Sequence, residues 1–539
     1  MDSKYVRFLE PRVDVVSETQ KSHVILSGGQ RVTQNVYSSL AWGSPGATPV
    51  QASWSVSPPS TQTIVDRLVR VRAFIEVKTD TPLSIGIHDA PRQFPLHSIT
   101  DVLTCQLNGE TISDNISEHL HALLMFGNTP EQRNKTWSTT PAMPDQFQEY
   151  SDWSDPVTGG SARNPLAGYG ENSTENSRGG FIYDIAPDRL SFKCVVTEPM
   201  MLSPFYSGLN FQEEGFVNVN QLNVTFRWTS QLNRILSHSS LGSDIQQVDV
   251  SFYRAPELLV TYITPDLTQP IHSVQTLPYS KIQDYIKAVK PLAPAETTTI
   301  YSDSIKLSMI PRYAYLFVRH SRSTSNFKVS DAFLKINRCN VLFNNQSGLL
   351  SSAVPEDLYE ISRRCGLDRT FSQFSKYTGS VLCIEFGKDI GLLDNLASGV
   401  QTQATLQISL DVENVSSEDF EGEFYMSILN EGLFSLFESG ASASLGVLSQ
   451  ADVLEARMGS PQLEHHLYYS LLHGSGFFSK LKSFIGRVSK GVADVADVGS
   501  KIAGAVAPEF LPIATGVSGL ARSIQKVSGG RLTTGGRLR

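Results

Sequence analysis

Apolar and polar side chains alternate along much of the chain between about residues 22 and 456. Val69, Val71, Ala73, Ile75 and Val77 alternate with Arg70, Arg72, Phe74 and Glu76. Leu222, Val224, Phe226 and Trp228 alternate with Asn223, Thr225 and Arg227, and Leu406, Ile408, Leu410 and Val412 repeat the pattern near the other end. A period of two puts one set of side chains on each face of a sheet, so each run predicts a strand, and Leu222–Trp228 one with a buried and a wet or partner-facing side. Such strands are short and are separated by turn residues, which predicts β-sandwiches rather than alternating β and α units.

The helical departures from this pattern occur twice, in the same setting. Around Asp331 to Leu392, Leu334, Ile336 and Val341-Leu342-Phe343 predict a strand, and Asn344-Asn345-Gln346-Ser347-Gly348 a turn needing positive φ. Val354 to Gly366 then predicts a helix, with Pro355 at its first position, acids in the first turn, Arg363 and Arg364 in the last, and Gly366 just beyond. A buried strand follows over Gly379 to Gly387. Earlier, Val102 to Leu107 predict a strand and Asn108-Gly109 a hairpin turn. Next comes a helix with Ile116, Leu120, Leu123 and Leu124 on one face, Ser117 as N-cap and Gly127 as its end. The strands ahead of the helices correspond too: Tyr313, Tyr315 and Phe317 alternate with Ala314, Leu316 and Val318. The chain therefore reads as two copies of one β-rich unit.

The first copy is the longer. Residues 127–180 hold only Val157 and Leu166 of the Val/Ile/Leu class, too few for a core of their own. Trp137, Trp153, Tyr150 and Tyr169 nevertheless predict that this long surface loop packs on something. Pro265, Pro270, Pro278, Pro291 and Pro294 predict a stiff connector, with a short helix at Ser280 to Val289. The expected organisation is an N-terminal arm over 1–21, a first unit over 22–264, a connector over 265–296, a second unit over 297–456 and a tail over 457–539.

Charge separates the tail from the rest. Of 45 Lys and Arg and 53 Asp and Glu, residues 474–539 hold ten and three, a net of +7; the remaining 35 and 50 give −15 for residues 1–473. In the tail, Phe477, Leu481, Phe484, Ile485, Val488, Val492 and Val495 share one helical face, while Lys480, Arg487 and Lys490 lie away from it. With Phe478, these residues predict a basic amphipathic helix suited to a membrane interface, a groove on a protein partner, or nucleic acid. Ile502 to Ala521 carries one charge, Glu509, but its prolines and glycines argue against a spanning helix. Arg531, Arg537 and Arg539 in the Gly-rich terminus can neutralise phosphates of a genome without reading sequence.

Other chemistry is not signalled. No GxSxG or GxxxxGK[ST] occurs, and Gly168-Tyr169-Gly170 lacks the third glycine of a dinucleotide turn, so neither an enzyme nor a cofactor is expected. His119 and His121 point to different sides of a helix, and His465-His466 share that defect, so neither pair matches zinc-ligand spacing. Cys105, Cys194, Cys339, Cys365 and Cys383 are odd in number and scattered, as expected of free thiols in a reducing compartment. Met1 to Arg7 holds no apolar signal-peptide core, so the Asn-x-Ser/Thr triplets are expected to be unused.

Ile310-Pro311-Arg312-Tyr313-Ala314-Tyr315-Leu316-Phe317-Val318, Phe343-Asn344-Asn345-Gln346-Ser347-Gly348-Leu349-Leu350-Ser351-Ser352, Leu358-Tyr359-Glu360-Ile361-Ser362, Gly379-Ser380-Val381-Leu382 and Phe386-Gly387-Lys388-Asp389-Ile390-Gly391-Leu392 carry a resemblance. In this setting of paired sandwiches and a Pro-rich connector, the chain resembles the double jelly-roll major capsid proteins of DNA viruses. That lineage includes adenovirus hexons, virophages, and Polinton-like and adintovirus-like elements. The resemblance implies an all-β fold of two tandem jelly rolls and a homotrimer forming a pseudo-hexagonal block in an icosahedral virion. It implies a penton or minor capsid protein as neighbour, residues 127–180 as an outer tower, and a tail helix akin in character to the lytic helix of the adenovirus internal protein. Two rivals make other demands. A single-jelly-roll capsid protein with a protruding domain needs a basic N-terminal arm and no second copy of hairpin and helix. A β-sandwich carbohydrate-binding protein or enzyme needs carboxylates or aromatics clustered in one cleft.

Overall fold

A computed structural model describes residues 31–60, 63–126, 139–142, 144–153, 164–166, 182–207, 210–211, 215–264, 274–344, 346–393 and 395–450. Within them lie two antiparallel β-sandwiches in series. In the first, one sheet runs Arg31–Ser38, Val248–Thr264, Arg70–Thr79, Ser191–Pro199, Ile182–Ile185, and the facing sheet runs Gln51–Val56, Leu222–Trp228, Thr100–Leu107, Glu110–Asp114. In the second, Val274–Ala288, Gly422–Phe437, Tyr313–His320 and Leu382–Glu385 face Thr297–Tyr301, Gln401–Glu413, Lys335–Phe343 and Gln346–Leu349. Each sandwich is a jelly roll, and the two share this order of parts. A single jelly roll with a protruding domain does not describe this chain.

The alternating runs bury the predicted faces. Val71, Ala73, Ile75 and Val77 point into the first core with Leu222, Val224 and Phe226, and Leu406, Ile408, Leu410 and Val412 into the second. Trp54 meets Phe226 edge-on at 6.1 Å and Trp228 meets Phe252 at 4.9 Å, the geometry the aromatic quadrupole favours. Each such side chain contributes roughly 1.5–3 kcal/mol through burial. Asn108 (φ 48°) and Gly109 (φ 92°) close the hairpin between Thr100–Leu107 and Glu110–Asp114, as a two-residue primed turn requires.

The two helices that follow the hairpins occupy their predicted places. Pro355–Arg364 begins at its proline, and Asp357 accepts the Val354 N–H at 3.1 Å. Ile116–Leu123 starts instead after Asn115, with no side-chain cap, so Ser117 is inside the first turn and its carbonyl accepts from Arg319 at 2.8 Å.

Two expectations change. Val274–Ala288, where a connector and a helix at Ser280 to Val289 were expected, is a 15-residue strand. It pairs along its whole length with Gly422–Phe437, and this ladder overrides the helical spacing of Ile282, Tyr285 and Ile286. Tyr313–His320 is buried along most of its length, and the first unit contributes to that burial: Phe126 meets Tyr315 at 5.2 Å. Finally, the pieces of the expected surface loop that are described are largely inside. Tyr150 and Trp153 are 3% exposed and Leu166 is 1% exposed, all in the first core.

Candidate functional site: the ionic seam between the jelly rolls

Helix Ile116–Leu123 presents two apolar faces. Ile116, Leu120 and Leu124 join Phe94, Ala142 and Met201 in a cluster of the first roll, whereas Ala122, Met125 and Phe126 enter the core of the second. The helix thereby acts as a dowel between the rolls. Residues 144–153 form a strap beside it. Gln148 Nε2 donates to the Phe333 carbonyl at 2.6 Å, the Ser330 hydroxyl donates to the Gln148 carbonyl, and the Asp331 N–H donates to Asp145 at 3.0 Å. Gln373 donates to Gln146 at 2.9 Å, and Phe147 lies edge-on to Tyr377.

Between dowel and strap lies a buried group of charges. Asp331 binds Arg92 at 2.7 Å through one oxygen and Arg234 at 2.7 Å through the other. Both arginines belong to the first roll and Asp331 to the second. Arg92, fully buried, also donates to the carbonyls of Arg234 at 2.6 Å, Val329 at 2.9 Å and Asn326 at 3.1 Å. Tyr150 donates to Asp145 at 2.9 Å, and Asp145 stands 4.0 Å from Arg92. Although burial alone would raise it, the Asp331 carboxyl is held far below the usual carboxylate range by Arg92 and Arg234. Burial, reinforced by repulsion from Arg92 and Arg319, brings Arg234 down to about 10 despite the attraction of Asp331.

A second group adjoins it. Glu118 on the helix accepts from Arg319 at 3.0 Å, Arg322 at 2.7 Å and Tyr425 at 2.8 Å, all from the second roll. Arg322 also pairs with Asp101. Arg319 lies over the Tyr425 ring at 4.6 Å, and Tyr425 stacks on Phe317. Charges buried in this way cost several kcal/mol each unless paired and hydrogen-bonded; here the guanidiniums are matched across the seam. The arrangement can fix the orientation of one roll against the other.

His119 and His121 are therefore core residues of the junction, on different sides of the helix. His119 faces Asp114 and Asp284; His121 faces Gln93 and Asp331. Burial, with Arg234, Arg92 and Arg319 nearby, drives His121 down to about 3 against the pull of Asp331, so its ring is neutral. Sequence reading missed the seam because its partners are far apart in the chain. The tail residues singled out there, Phe477, Phe478, Lys480, Leu481, Phe484, Ile485, Arg487, Val488, Arg531, Arg537 and Arg539, lie outside the described residues.

Comparisons with known proteins agree on one group. Residues 4–188 match the family model "Sputnik virophage major capsid protein 1st domain", and residues 282–378 and 375–432 match "Major capsid protein V20 C-terminal domain". The putative capsid protein V20 of Sputnik virophage is 30% identical over 550 residues, covering 92% of this chain and 89% of that protein. The corresponding chain in the cryo-EM structure of the Sputnik virophage superposes with a TM-score of 0.73 at 29% identity, covering 85% of this chain and 97% of its own. The mavirus major capsid protein, 16% identical, shares the fold with a TM-score of 0.66, covering 80% of this chain and 92% of its own.

Proposed function

The chain belongs to the virophage major capsid protein family, and from that premise we propose that three copies close into a pseudo-hexagonal block that tiles the shell. The chain is a structural component of the virion capsid, and capsid assembly entails self-association. One observation carries the finer reading: the two jelly rolls are joined by a buried, charge-matched seam and a strap, which fix one roll against the other. Three such chains supply six jelly-roll lobes, the number a hexagonal tile needs. Outer sheet faces and loops are then left for contacts between copies and with a penton or minor capsid protein.

The basic tail is assigned to the interior. Its net charge of +7 against −15 for the rest suits contact with a membrane or genomic DNA, and its apolar face suits a lipid interface. Deleting 474–539 tests both parts. The truncated protein is expected to remain trimeric, to lose leakage of anionic vesicles, and to lose retained nucleic acid. Monomers after this deletion would overturn the reading that the jelly rolls alone make the trimer contacts, and undiminished leakage would overturn the role of the tail.

A further inference from the structure

We propose that His119 is a proton-held clasp between the two jelly rolls, closed at neutral pH and released at alkaline pH. The ring is 2% exposed at the junction. Its Nε2 lies 3.4 Å from Asp114, at the end of a first-roll strand, and its Nδ1 lies 3.0 Å from Asp284, within the first strand of the second roll. Both nitrogens thus meet carboxylate oxygens. A neutral imidazole has one N–H and would turn a lone pair toward one of the two acids; only the imidazolium donates to both.

The surroundings favour the charged ring. Asp114 and Asp284 are mostly buried, with side chains 18% and 11% exposed. Ser427, from Gly422–Phe437, donates to Asp284, and Arg319, from Tyr313–His320, lies close enough to lower the Asp284 carboxyl further. On the hairpin side, Glu110 and Asp114 both act on Tyr279, which burial already raises to about 12, so that phenol stays neutral. Glu118, on the same helix as His119, is satisfied by Arg319, Arg322 and Tyr425. His121 faces Asp331 on the other side.

The direction follows. Burial opposes charging His119, but Asp114 and Asp284 outweigh it and hold the ring well above the usual imidazole range. A group raised on folding stabilises fully below its unfolded value, near 6.5, and that contribution is lost as pH rises through the folded value. Beyond that point two mostly buried carboxylates flank an uncharged ring and the clasp becomes repulsive. The other seam cations described above are arginines, which hold their charge at neutral pH, and the rings of His121 and His320 are neutral, with the latter driven to about 4 chiefly by burial. His119 is therefore the histidine joint of the seam that stays charged at neutral pH, whatever the number of copies in the assembly; Arg234, brought down to about 10 by burial, adds its own loss only near the top of the alkaline range.

The test uses the full chain. Thermal midpoints from pH 6 to 10 are measured for wild type, His119→Gln and His119→Lys, with amide exchange of residues 274–288 corrected for intrinsic rates. Wild type is expected to lose midpoint and protection on the alkaline side. His119→Gln is expected to start lower at neutral pH and lose that alkaline decline, and His119→Lys to postpone it to higher pH. If His119→Gln does not fold, Asp284→Asn takes its place and is expected to move the decline to lower pH. Identical alkaline slopes in wild type and variants, or a neutral His119 ring at pH 7 by nitrogen chemical shift, would overturn the proposal.

Discussion

Asp331→Asn removes the charge at the centre of the seam while keeping size and shape. In the native protein this carboxylate compensates Arg92 and Arg234, each at 2.7 Å, and both guanidiniums are almost wholly buried. Removing one partner of a buried pair typically costs about 3–5 kcal/mol, because the remaining charge stays desolvated. Asp145, 4.0 Å from Arg92, compensates in part, which places the expected loss near the lower end, about 3 kcal/mol. At roughly 2–4 °C per kcal/mol for domains of 150–250 residues, the midpoint should fall by about 6–12 °C. Differential scanning calorimetry of the purified protein measures it, with Lys287→Gln as the control. The Lys287–Asp303 pair has side chains 42% and 78% exposed, and neutralising it should change stability by less than about 0.5 kcal/mol. Because the Asp331 carboxyl is depressed in the folded state, its contribution is present above the unfolded value near 3.9 and fades only as pH falls toward the folded one. The gap between wild type and variant should thus hold from pH 8 down to about 4. A loss no larger than that of Lys287→Gln would refute the claim that the seam holds the rolls together.

Two further outcomes follow from backbone and thiol burial. Gly379→Ala should abolish soluble expression: φ is 76°, and a Cβ there would stand 1.7 Å from the Phe333 carbonyl oxygen, which the strap residue Gln148 also binds. Native-state alkylation followed by peptide mass spectrometry should label Cys365 first. Cys105, Cys194, Cys339 and Cys383 are buried, and burial pushes the Cys194 and Cys339 thiols up to about 12, leaving almost no thiolate at neutral pH.

Much of the fold was legible because its signals are local. Alternation over Leu222–Trp228 and Leu406–Val412, the Asn108-Gly109 turn and the proline-led helix each need only neighbouring residues to be read. Where a partner distant in the chain decides the outcome, the sequence misleads. Ile282, Tyr285 and Ile286 have helical spacing, yet their backbone is claimed by residues 422–437. Tyr315 sits in an apolar strand whose neighbours do not reveal what covers it, yet Phe126 of the first roll packs on its ring. The seam is the extreme case. Asp331 meets arginines at 92 and 234, Glu118 meets 319, 322 and 425, and no window of sequence contains a pair of these partners from opposite rolls. The alternate spacing of His119 and His121 did correctly separate their roles, since the two rings serve different carboxylates.

The assembly reading rests on what the purified full-length chain does in solution, and light scattering across a range of protein and salt concentrations measures that directly. A concentration-independent species of three times 59.3 kDa, or closed particles built from it, is the predicted result. A stable monomer at every concentration would contradict it.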